Sequence, residues 1–339
     1  MAIIPMGNVN CHCLNARSEA GPILDLAFKT EPSPRKNKAQ SKPASSRQSI
    51  SSDSALGKAL QVHLARKSLM AMKYLPRLEG RMGMRLSMQA RMQYIRLGPR
   101  FTDFTADCHH LKDGSVFLGH LSKSTDPTGP GCLFQPDGSL FEGSWDKSGL
   151  EGQVRVIYMN GEYYEGEYHQ GQLHGQGTFL SCNGSMYQGS WRSGKRCGKG
   201  KETWPDGAVY TGDFEDEFKH GRGVFRWADG STYEGDFKRN ELDGFGHYIW
   251  ADLKEYTGTW KNNKMHGKGI YRWPDGRRYE GEFKNDVKEG QGVLTWAEGK
   301  TYSGSWAANR MHGLGTQSSP GAGSKKGEWS RGKRLRWLD

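Results

Sequence analysis

The sequence predicts an all-β fold, an elongated single-layer twisted antiparallel sheet of stacked β-hairpins, preceded by a disordered and helical N-terminal extension. Two observations carry this prediction. An aromatic residue, a spacer and a glycine recur nine times, at one interval of 24 residues and then at intervals of 23. Within each unit, side chains alternate with the period of two that places successive strand residues on opposite faces. A fixed period in this range is typical of stacked repeat arrays.

The glycine of each unit lies two residues after the aromatic residue. The nine glycines are Gly119, Gly143, Gly166, Gly189, Gly212, Gly235, Gly258, Gly281 and Gly304. A tenth, Gly327, follows another 23 residues later, with Lys325 at the aromatic position. In the unit Tyr279–Trp296 the aromatic residues and the glycines share one strand face and the glutamates take the other. We therefore expect a ring to lie over each glycine, which has no side chain to obstruct it.

Short connections separate the predicted strands. Within the unit Tyr279–Trp296 the two strands are joined by a polar loop, Lys284–Glu289. Between units, Asp-Gly and Asn-Gly pairs supply the positive-φ residues of tight connections. These pairs begin at Asp113, Asp137, Asn160, Asn183, Asp206, Asp229 and Asp275. The pair Asp252-Leu253 breaks the pattern, so we expect a looser or differently shaped connection there.

The segment before the array carries the net charge of the chain. Residues 1–100 contain 17 Lys+Arg and 5 Asp+Glu, a net charge of +12, whereas residues 101–339 contain 31 and 32, a net charge of −1. Low hydrophobicity predicts a disordered basic tail over 1–54. A basic, methionine-rich segment with helices follows over 55–100, the repeat array over 113–316, and a degenerate capping repeat with a basic C-terminus over 317–339.

Two helices are predicted in the methionine-rich segment. The first spans Ala55–Leu75 and ends there because proline, here Pro76, disfavours helical geometry in the residue before it. The second spans Met84–Leu97, and one of its faces carries Met84, Met88, Met92 and Ile95. Three interpretations remain open for this segment: a helix packed on the array, a membrane-surface helix, or a target of a calmodulin-type protein.

Composition excludes several classes of protein. The six cysteines do not suggest a disulfide framework in a chain of this length, so we expect a reducing interior. No apolar run approaches the roughly 18–20 residues needed to span a bilayer. The opening Met1–Met6 is too short for a secretory signal, and the acidic Glu19, Asp25 and Glu31 disfavour an organelle transit peptide without excluding one.

The unit resembles the MORN repeat, named for membrane occupation and recognition nexus. The resemblance is carried by Tyr279–Phe283 (YEGEF), His266–Gly269 (HGKG) and Trp273–Gly276 (WPDG), and it covers about two-thirds of the chain. It implies an all-β groove of stacked hairpins and a scaffolding, tethering or membrane-apposing role. MORN segments also occur in lipid kinases and in SET-domain methyltransferases, but no room for such a domain follows Trp306, so the resemblance implies no catalysis.

Four histidines, His174, His220, His266 and His312, occupy the same position in alternate units. Two strands per unit place alternate units about 19 Å apart. A Zn–N bond measures only about 2 Å, so one chain cannot bring these imidazoles together on a metal. We expect them to be turn or strand-edge residues.

Four glutamates, Glu142, Glu165, Glu234 and Glu280, line up on the polar face. Paired carboxylates can perform acid–base chemistry, but no nucleophile or apolar pocket recurs beside these. We expect a solvated ladder of carboxylates opposite lysines and arginines. No catalytic residue, metal or cofactor is therefore predicted.

The strongest predicted binding surface is an aromatic groove for a protein partner. Its residues are Tyr164, Tyr168, Tyr187, Trp191, Tyr210, Phe214, Tyr233, Phe237, Tyr256, Trp260, Tyr279 and Phe283. Basic residues at both ends of the array are predicted to attach it to an anionic surface. These are Lys58, Arg66, Lys67, Arg81, Arg85, Arg91, Lys325, Lys326, Arg331, Lys333, Arg334 and Arg336.

The sequence thus predicts a non-enzymatic scaffold that tethers protein partners to an anionic membrane or a cytoskeletal surface. The alternatives are an axonemal or ciliary structural component, and a regulatory subunit of a lipid kinase or methyltransferase acting in trans. The expected partners are a protein in the groove and either anionic phospholipid or tubulin at the ends. Nucleic acid is not expected, and a homodimer remains open. The expected location is cytoplasmic and peripheral, at a membrane, the cytoskeleton or a cilium.

Overall fold

The computed structural model describes residues 74–79, 85–86, 88–97 and 106–338. Residues 74–79 are helical, helix α1 spans Met88–Leu97, and the rest is almost entirely strands and turns. The strands are β1 (Cys108–His110), β2 (Val116–Leu121), β3 (Pro127–Phe134), β4 (Leu140–Asp146), β5 (Gly149–Ile157), β6 (Tyr163–His169), β7 (Gln172–Leu180), β8 (Met186–Arg192), β9 (Lys195–Thr203), β10 (Val209–Glu215), β11 (Phe218–Arg226), β12 (Thr232–Lys238), β13 (Glu241–Ile249), β14 (Glu255–Lys261), β15 (Lys264–Arg272), β16 (Arg278–Lys284), β17 (Val287–Thr295), β18 (Thr301–Ala307), β19 (Arg310–Ser319), β20 (Gly323–Ser330) and β21 (Lys333–Leu338).

Every strand pairs antiparallel with the next strand of the chain, from β1 to β21. The order of strands in the sheet is therefore their order in the sequence. Two strands form each 23-residue unit, and the units continue one sheet without crossovers. The predicted all-β antiparallel sheet is confirmed.

From β4 onward, the two strands of each hairpin are joined by two-residue turns, whereas residues 122–126 join β2 to β3. Between β10 and β11, Asp216 and Glu217 have φ angles of 45° and 77°. Positive φ at both central residues is the mark of a type I′ turn, whose twist matches that of the flanking strands. The predicted polar loop Lys284–Glu289 was too long, since only Asn285 and Asp286 lie between β16 and β17. Asn and Asp tolerate the left-handed conformation, which allows the turn to be this short.

A bulge interrupts the second strand of each regular hairpin. Gly212 pairs with Gly223, but the next aligned pair is Phe214 with Lys219, so the second strand carries two extra residues. Gly221, which follows a histidine in this unit, adopts a φ of 63° at the bulge. A carboxylate of the first strand holds the bulge in place, because Asp213 Oδ2 accepts the N–H that follows this glycine at 3.1 Å.

In the units from Tyr164 to Tyr302, the tyrosine lies over two glycines. A Cβ added to Gly223 would lie 2.5 Å from Cε2 of Tyr210, and one added to Gly212 would lie 2.5 Å from its hydroxyl. The hydroxyl itself donates to the carbonyl oxygen of Asp213 at 2.9 Å, so the ring is fixed at both ends. The expectation that rings cover the glycines is confirmed for the units from Tyr164 to Tyr302, where a Cβ at either glycine would overlap the tyrosine, and it is wrong at Gly143, which lies against Leu150 and Val154.

The connections between hairpins share one geometry, including the exceptional one. At Asp252-Leu253 the N–H of Leu253 donates to the carbonyl of Trp250 at 2.9 Å, as the N–H of Gly230 does to Trp227 at 3.1 Å. Leu253 takes a φ of 65° to do so. The prediction of a looser connection was wrong, because the hydrogen bonds of neighbouring strands fix the turn and leucine adopts the strained conformation that it requires.

The N-terminal helical segments pack on the face opposite the tyrosines, over the first units. Leu75, Leu78 and Tyr94 are buried in one cluster with sheet residues such as Leu118 and Leu140. The predicted end of a helix at Leu75 was wrong, since residues 74–79 are helical across the proline. Burial of the two leucines outweighs the local preference of a residue before proline.

On the predicted methionine face of the second helix, the two described methionines point away from the sheet, whereas Ile95 packs against the buried cluster. Met88 and Met92 of α1 are 77% and 63% exposed, whereas Ala90 and Tyr94 are buried. Residues 1–73 and Met84 lie outside the described residues, so the predicted disordered tail and most of the predicted first helix stay predictions. The predicted domain boundaries also remain predictions.

Candidate partner-binding surface

The twelve predicted groove aromatics form the core of the array. None of them is more than 6% exposed. In the units from Tyr187 onward, the tyrosine contacts the aromatic residue four positions later in its own strand and the equivalent residue of the next unit. Tyr210, for example, meets Phe214 and Phe237 edge-on at centroid distances of 5.2 and 5.1 Å. These edge-to-face contacts link successive units, so these side chains hold the array together and leave little surface for a partner.

A second row of aromatic side chains lies beside this core and is more open. It comes from the ends of the second strands and the turns that follow them. We call it the rim row, and it consists of Trp204, Phe225, Trp227, Tyr248, Trp250, Tyr271 and Trp273. Neighbouring rings are 4.4–5.5 Å apart between centroids. Five of the seven rings, including all four tryptophans, are only partly buried.

The two rows differ in the hydrogen bonding of their indole N–H groups. In the core, Trp260 and Trp306 donate to the carbonyl oxygens of Gly246 and Gly292. In the rim row, the four indole N–H groups have no acceptor within the described residues, and none of these nitrogens is among the buried polar atoms without a partner. The rim row therefore presents one solvent-facing donor per unit. None of these rings is among the predicted binding residues, although the recurring Trp-x-Asp motif marks the four tryptophans.

Cationic side chains border the rim row. Lys219 Nζ lies 4.9 Å from the centroid of Trp204 and 3.8 Å from a carboxylate oxygen of Glu202. Lys288 Nζ lies 4.7 Å from the centroid of Trp273. Burial lowers the pKa of Lys288 to about 8, with a smaller contribution from Arg277. The aromatic faces thus already hold two lysine ammonium groups of the chain itself.

The repeats identify the family. The MORN repeat matches seven consecutive segments, at residues 164–186, 187–209, 210–232, 233–253, 256–277, 279–301 and 302–321. The chain is a MORN-repeat protein. MORN repeats form a scaffold for protein binding. A comparison with curated proteins found no match.

Several solved structures resemble the MORN-repeat protein weakly. The TCP10 domain of Danio rerio CPAP, in complex with a peptide of STIL, has a TM-score of 0.39 at 12% identity, over 69% of this chain and 98% of that chain. The SAS-4 TCP domain of Drosophila melanogaster, in complex with a proline-rich motif of Ana2, has a TM-score of 0.30 at 15% identity, over 56% and 97%. Virginiamycin B lyase of Staphylococcus aureus has a TM-score of 0.14 at 10% identity, over 66% and 84%. These scores are too low to assign a shared fold.

The face of the sheet opposite the aromatic rows is polar after the first units of the MORN-repeat protein. A shallow groove there has glycine backbone as its floor and is lined by residues such as Thr257, Lys268 and Glu280. Phe245, which is 55% exposed, lies at its border. This face is the one that α1 and residues 74–79 cover over the first units.

The predicted carboxylate ladder is wrong at its first member. Glu142 is 1% exposed and accepts a hydrogen bond from Arg155 Nε at 2.6 Å. The guanidinium lies 5.8 Å from the ring of Tyr94 on α1. The pair is buried because the helix covers this part of the polar face. Arg155 remains charged, since Glu142 raises the pKa of the guanidinium against the opposing effect of burial.

The predicted basic attachment residues divide between described and undescribed parts. Lys58, Arg66, Lys67 and Arg81 lie outside the described residues. Arg85 is exposed, and Arg91 pairs with the buried Glu79 at 3.1 Å. At the other end, the predicted basic residues lie on β20, on β21 and in the turn between them, and all of them are exposed. They are Lys325, Lys326, Arg331, Lys333, Arg334 and Arg336. Of these, Arg336 pairs with Glu328 at 2.8 Å, and Arg334 lies over the ring of Trp337.

The aligned histidines lie at the bulges, each directly before a glycine with positive φ, such as Gly221 or Gly267. Within residues 74–79, 85–86, 88–97 and 106–338, no three His, Cys, Asp or Glu side chains are grouped as a metal site would require. The described helices also include none that is long and apolar enough to cross a membrane.

Proposed function

We propose that this MORN-repeat protein is a non-enzymatic scaffold that holds a protein partner along the rim row and attaches to an anionic surface through its basic ends. The observation that carries the proposal is the rim row, a run of partly exposed rings with one free indole donor per unit. Large aromatic side chains provide much of the binding energy of protein interfaces. The core row beneath makes the surface rigid, which lowers the entropic cost of binding.

An anionic membrane is the proposed surface at the basic ends, and an acidic cytoskeletal protein such as tubulin is the alternative. Leu335, which is 62% exposed, lies between Arg334 and Arg336 on β21. Basic residues near an anionic leaflet contribute about 1 kcal/mol each, and an exposed leucine among them can enter the boundary between headgroups and acyl chains. This combination favours the membrane. The proposed location is accordingly peripheral, on the cytoplasmic side.

Binding of a protein partner to the rim row is tested with a photo-cross-linking amino acid at position 227. The matched control carries the same amino acid at position 245, on the opposite face. Both residues are aromatic and both have open surface. After irradiation in cell extract, adducts at position 227 should exceed those at position 245 and should decrease when Trp204 and Trp250 are replaced by alanine. Equal adduct yields at the two positions would contradict the proposed surface.

Attachment of the basic ends to an anionic membrane is tested by co-sedimentation with vesicles. The full chain should bind phosphatidylserine vesicles at low salt and not phosphatidylcholine vesicles. Replacement of Lys326, Arg331 and Lys333 by glutamine should weaken binding by about a hundredfold, because each loses about 1 kcal/mol near an anionic surface. Binding that is unchanged by these substitutions would locate attachment elsewhere. Co-sedimentation with microtubules but not with vesicles would replace the membrane by the cytoskeletal alternative.

A further inference from the structure

The rim row repeats along the array with the period of the sheet. Each unit contributes two strands at a spacing of about 4.8 Å, so equivalent side chains of consecutive units lie roughly 10 Å apart. Trp204, Trp227, Trp250 and Trp273 are such equivalents, and each is linked to the next through one intervening ring. A ligand that follows the row therefore meets an indole with the same N–H donor at every step of roughly 10 Å.

We propose that the partner segment held by the rim row is a proline-rich polyproline II helix. This helix advances about 3.1 Å per residue with three residues per turn, and so presents an equivalent position about every 9.3 Å. One residue in three then faces a tryptophan of each successive unit. The inference rests on the proposed function, since it names the chemical class of the partner at the same surface.

The free indole donors distinguish this occupant from the other regular conformations. A polyproline II backbone makes no internal hydrogen bonds, so its carbonyl oxygens are free to accept from the indoles. An α-helix with a seven-residue repeat has a similar advance, about 10.5 Å, but its backbone carbonyls are already bonded within the helix. An extended strand turns successive residues to opposite faces, so residues three apart cannot meet the same row. Proline has no backbone N–H, and the indoles of the rim row donate and do not accept, so this missing donor costs no hydrogen bond to them.

The charges beside the row favour a basic residue in the ligand near its first two tryptophans. Asp206 and Asp229 follow Trp204 and Trp227 by two positions and are exposed. Each accepts an N–H within its own turn, and neither forms an ion pair in the described part of the chain. Farther along, Asp252 and Asp275 are paired with Lys254 and Arg277.

The cations near the row do not cancel this preference. Of the two lysines, Lys219 is close to Glu202, and Lys288 lies beside Trp273 at the far end of the row. An arginine or lysine once per turn of the ligand therefore meets an unpaired carboxylate only beside Trp204 and Trp227, and electrostatic complementarity of this kind fixes register and direction.

The twist of the sheet sets the length of the ligand. Adjacent strands rotate by roughly 20–25°, so consecutive units rotate by about twice that angle. A stiff polyproline II segment follows such a surface for only a few units. Four tryptophans correspond to about 12 residues of ligand at three residues per turn, and longer segments should add little.

The test is binding of synthetic peptides to the full chain, followed by fluorescence anisotropy. The probe is (Pro-Pro-Arg)4, and its control is (Gly-Ser-Arg)4, which has the same length and charge without the polyproline II preference. The proline peptide should bind at least about tenfold more tightly, since the control must also lose its chain entropy on binding. Affinity should increase from six to 12 residues and change less than about twofold from 12 to 18 residues. Equal affinities of the two peptides would overturn the inference.

Two variants assign the site. Trp227→Phe together with Trp250→Phe keeps a phenyl ring at each position and removes two donors, and should weaken binding by about fivefold for each lost hydrogen bond. The melting temperature should fall only by the packing that the smaller rings lose, because neither N–H is bonded within the described structure. Phe245→Ala, on the opposite face, should not alter peptide affinity. Loss of binding with Phe245→Ala, or none with the double variant, would overturn the inference.

The outcomes separate this inference from the proposed function. If no length of the proline peptide binds while cross-linking at position 227 still exceeds that at position 245, the partner class is wrong and the proposed surface stands. An amphipathic helical peptide that binds, and that the double variant does not weaken, would also overturn the polyproline II assignment. If cross-linking at position 227 fails as well, the proposed function fails with it.

Discussion

Replacement of Lys288 by methionine should stabilise the protein at neutral pH. The side chain is 6% exposed and lies among Trp273, Tyr279 and Trp306, with Nζ 4.7, 5.1 and 5.5 Å from the three ring centroids. Methionine occupies the equivalent position in two other units, as Met265 and Met311, so the replacement fits the same space. The variant removes a charge that burial disfavours.

The magnitude follows from the pKa of Lys288, which is lowered from 10.5 to about 8 in the folded state. The unfolded state then binds the proton more tightly, so this group destabilises the fold fully below pH 8, and the penalty is relieved as pH rises toward 10.5. The upper limit is about 3 kcal/mol at pH 7 and about half of that at pH 9.5. Attraction between the ammonium and the three rings opposes this cost, so a gain of about 1–3 kcal/mol is expected at pH 7.

The assay is urea denaturation of the wild type and Lys288→Met at pH 7 and pH 9.5, with Lys264→Met as the control. Lys264 is exposed and is the first residue of β15, which is the second strand of the unit before the one that contains Lys288. Its replacement should change stability by less than about 0.5 kcal/mol. The advantage of Lys288→Met should shrink between the two pH values, and the subtraction removes the titration of other groups. An equal advantage at both pH values, or a destabilised variant, would refute the reasoning.

Three further substitutions test the packing. Gly223→Ala should destabilise the fold by about 1–3 kcal/mol in thermal or urea denaturation, because its Cβ would overlap the ring of Tyr210; an unchanged midpoint would show that the ring is free to move. Leu253→Gly should stabilise it by up to about 1 kcal/mol, because leucine is strained at a φ of 65°; a lower melting temperature would show that the exposed side chain is needed. Arg155→Ala should cost about 3–5 kcal/mol, since it leaves the carboxylate of Glu142 buried without its cation; a small loss would indicate that α1 is not held on the sheet.

The regular part of the fold could be predicted from the sequence because two independent signals agree there. The 23-residue period predicts the stacking, and the period of two predicts the faces. The same alternation could not separate Tyr210 from Trp227, since both belong to the aromatic face. Which ring is covered depends on the bulge and on contacts between units, such as that of Tyr210 with Phe237. The predicted site residues were therefore the aromatic residues that recur in the first strand of each unit, and these side chains form the core.

The position of α1 could have been inferred from a trend along the array. The residue before the aromatic position is Val116, Leu140 and Tyr163 in the first units, and all three are buried. From Thr232 onward it is polar, as at Thr232 and Glu255. A polar face that becomes apolar at one end indicates that another element covers it there. The buried pair of Glu142 and Arg155 is not visible in this way, because alternation predicts the face of a charge and not what lies above it.

The most direct test of the central claim replaces the four rim tryptophans by serine, the residue found at the equivalent position 181. The measurement is the affinity of the partner captured at position 227, by titration calorimetry, together with the melting temperature of the variant. Loss of the aromatic contacts should reduce affinity at least about a hundredfold, since buried aromatic anchors each contribute about 2 kcal/mol or more, while the core row keeps the array folded. Undiminished affinity in a folded variant would contradict the claim that the rim row holds the partner.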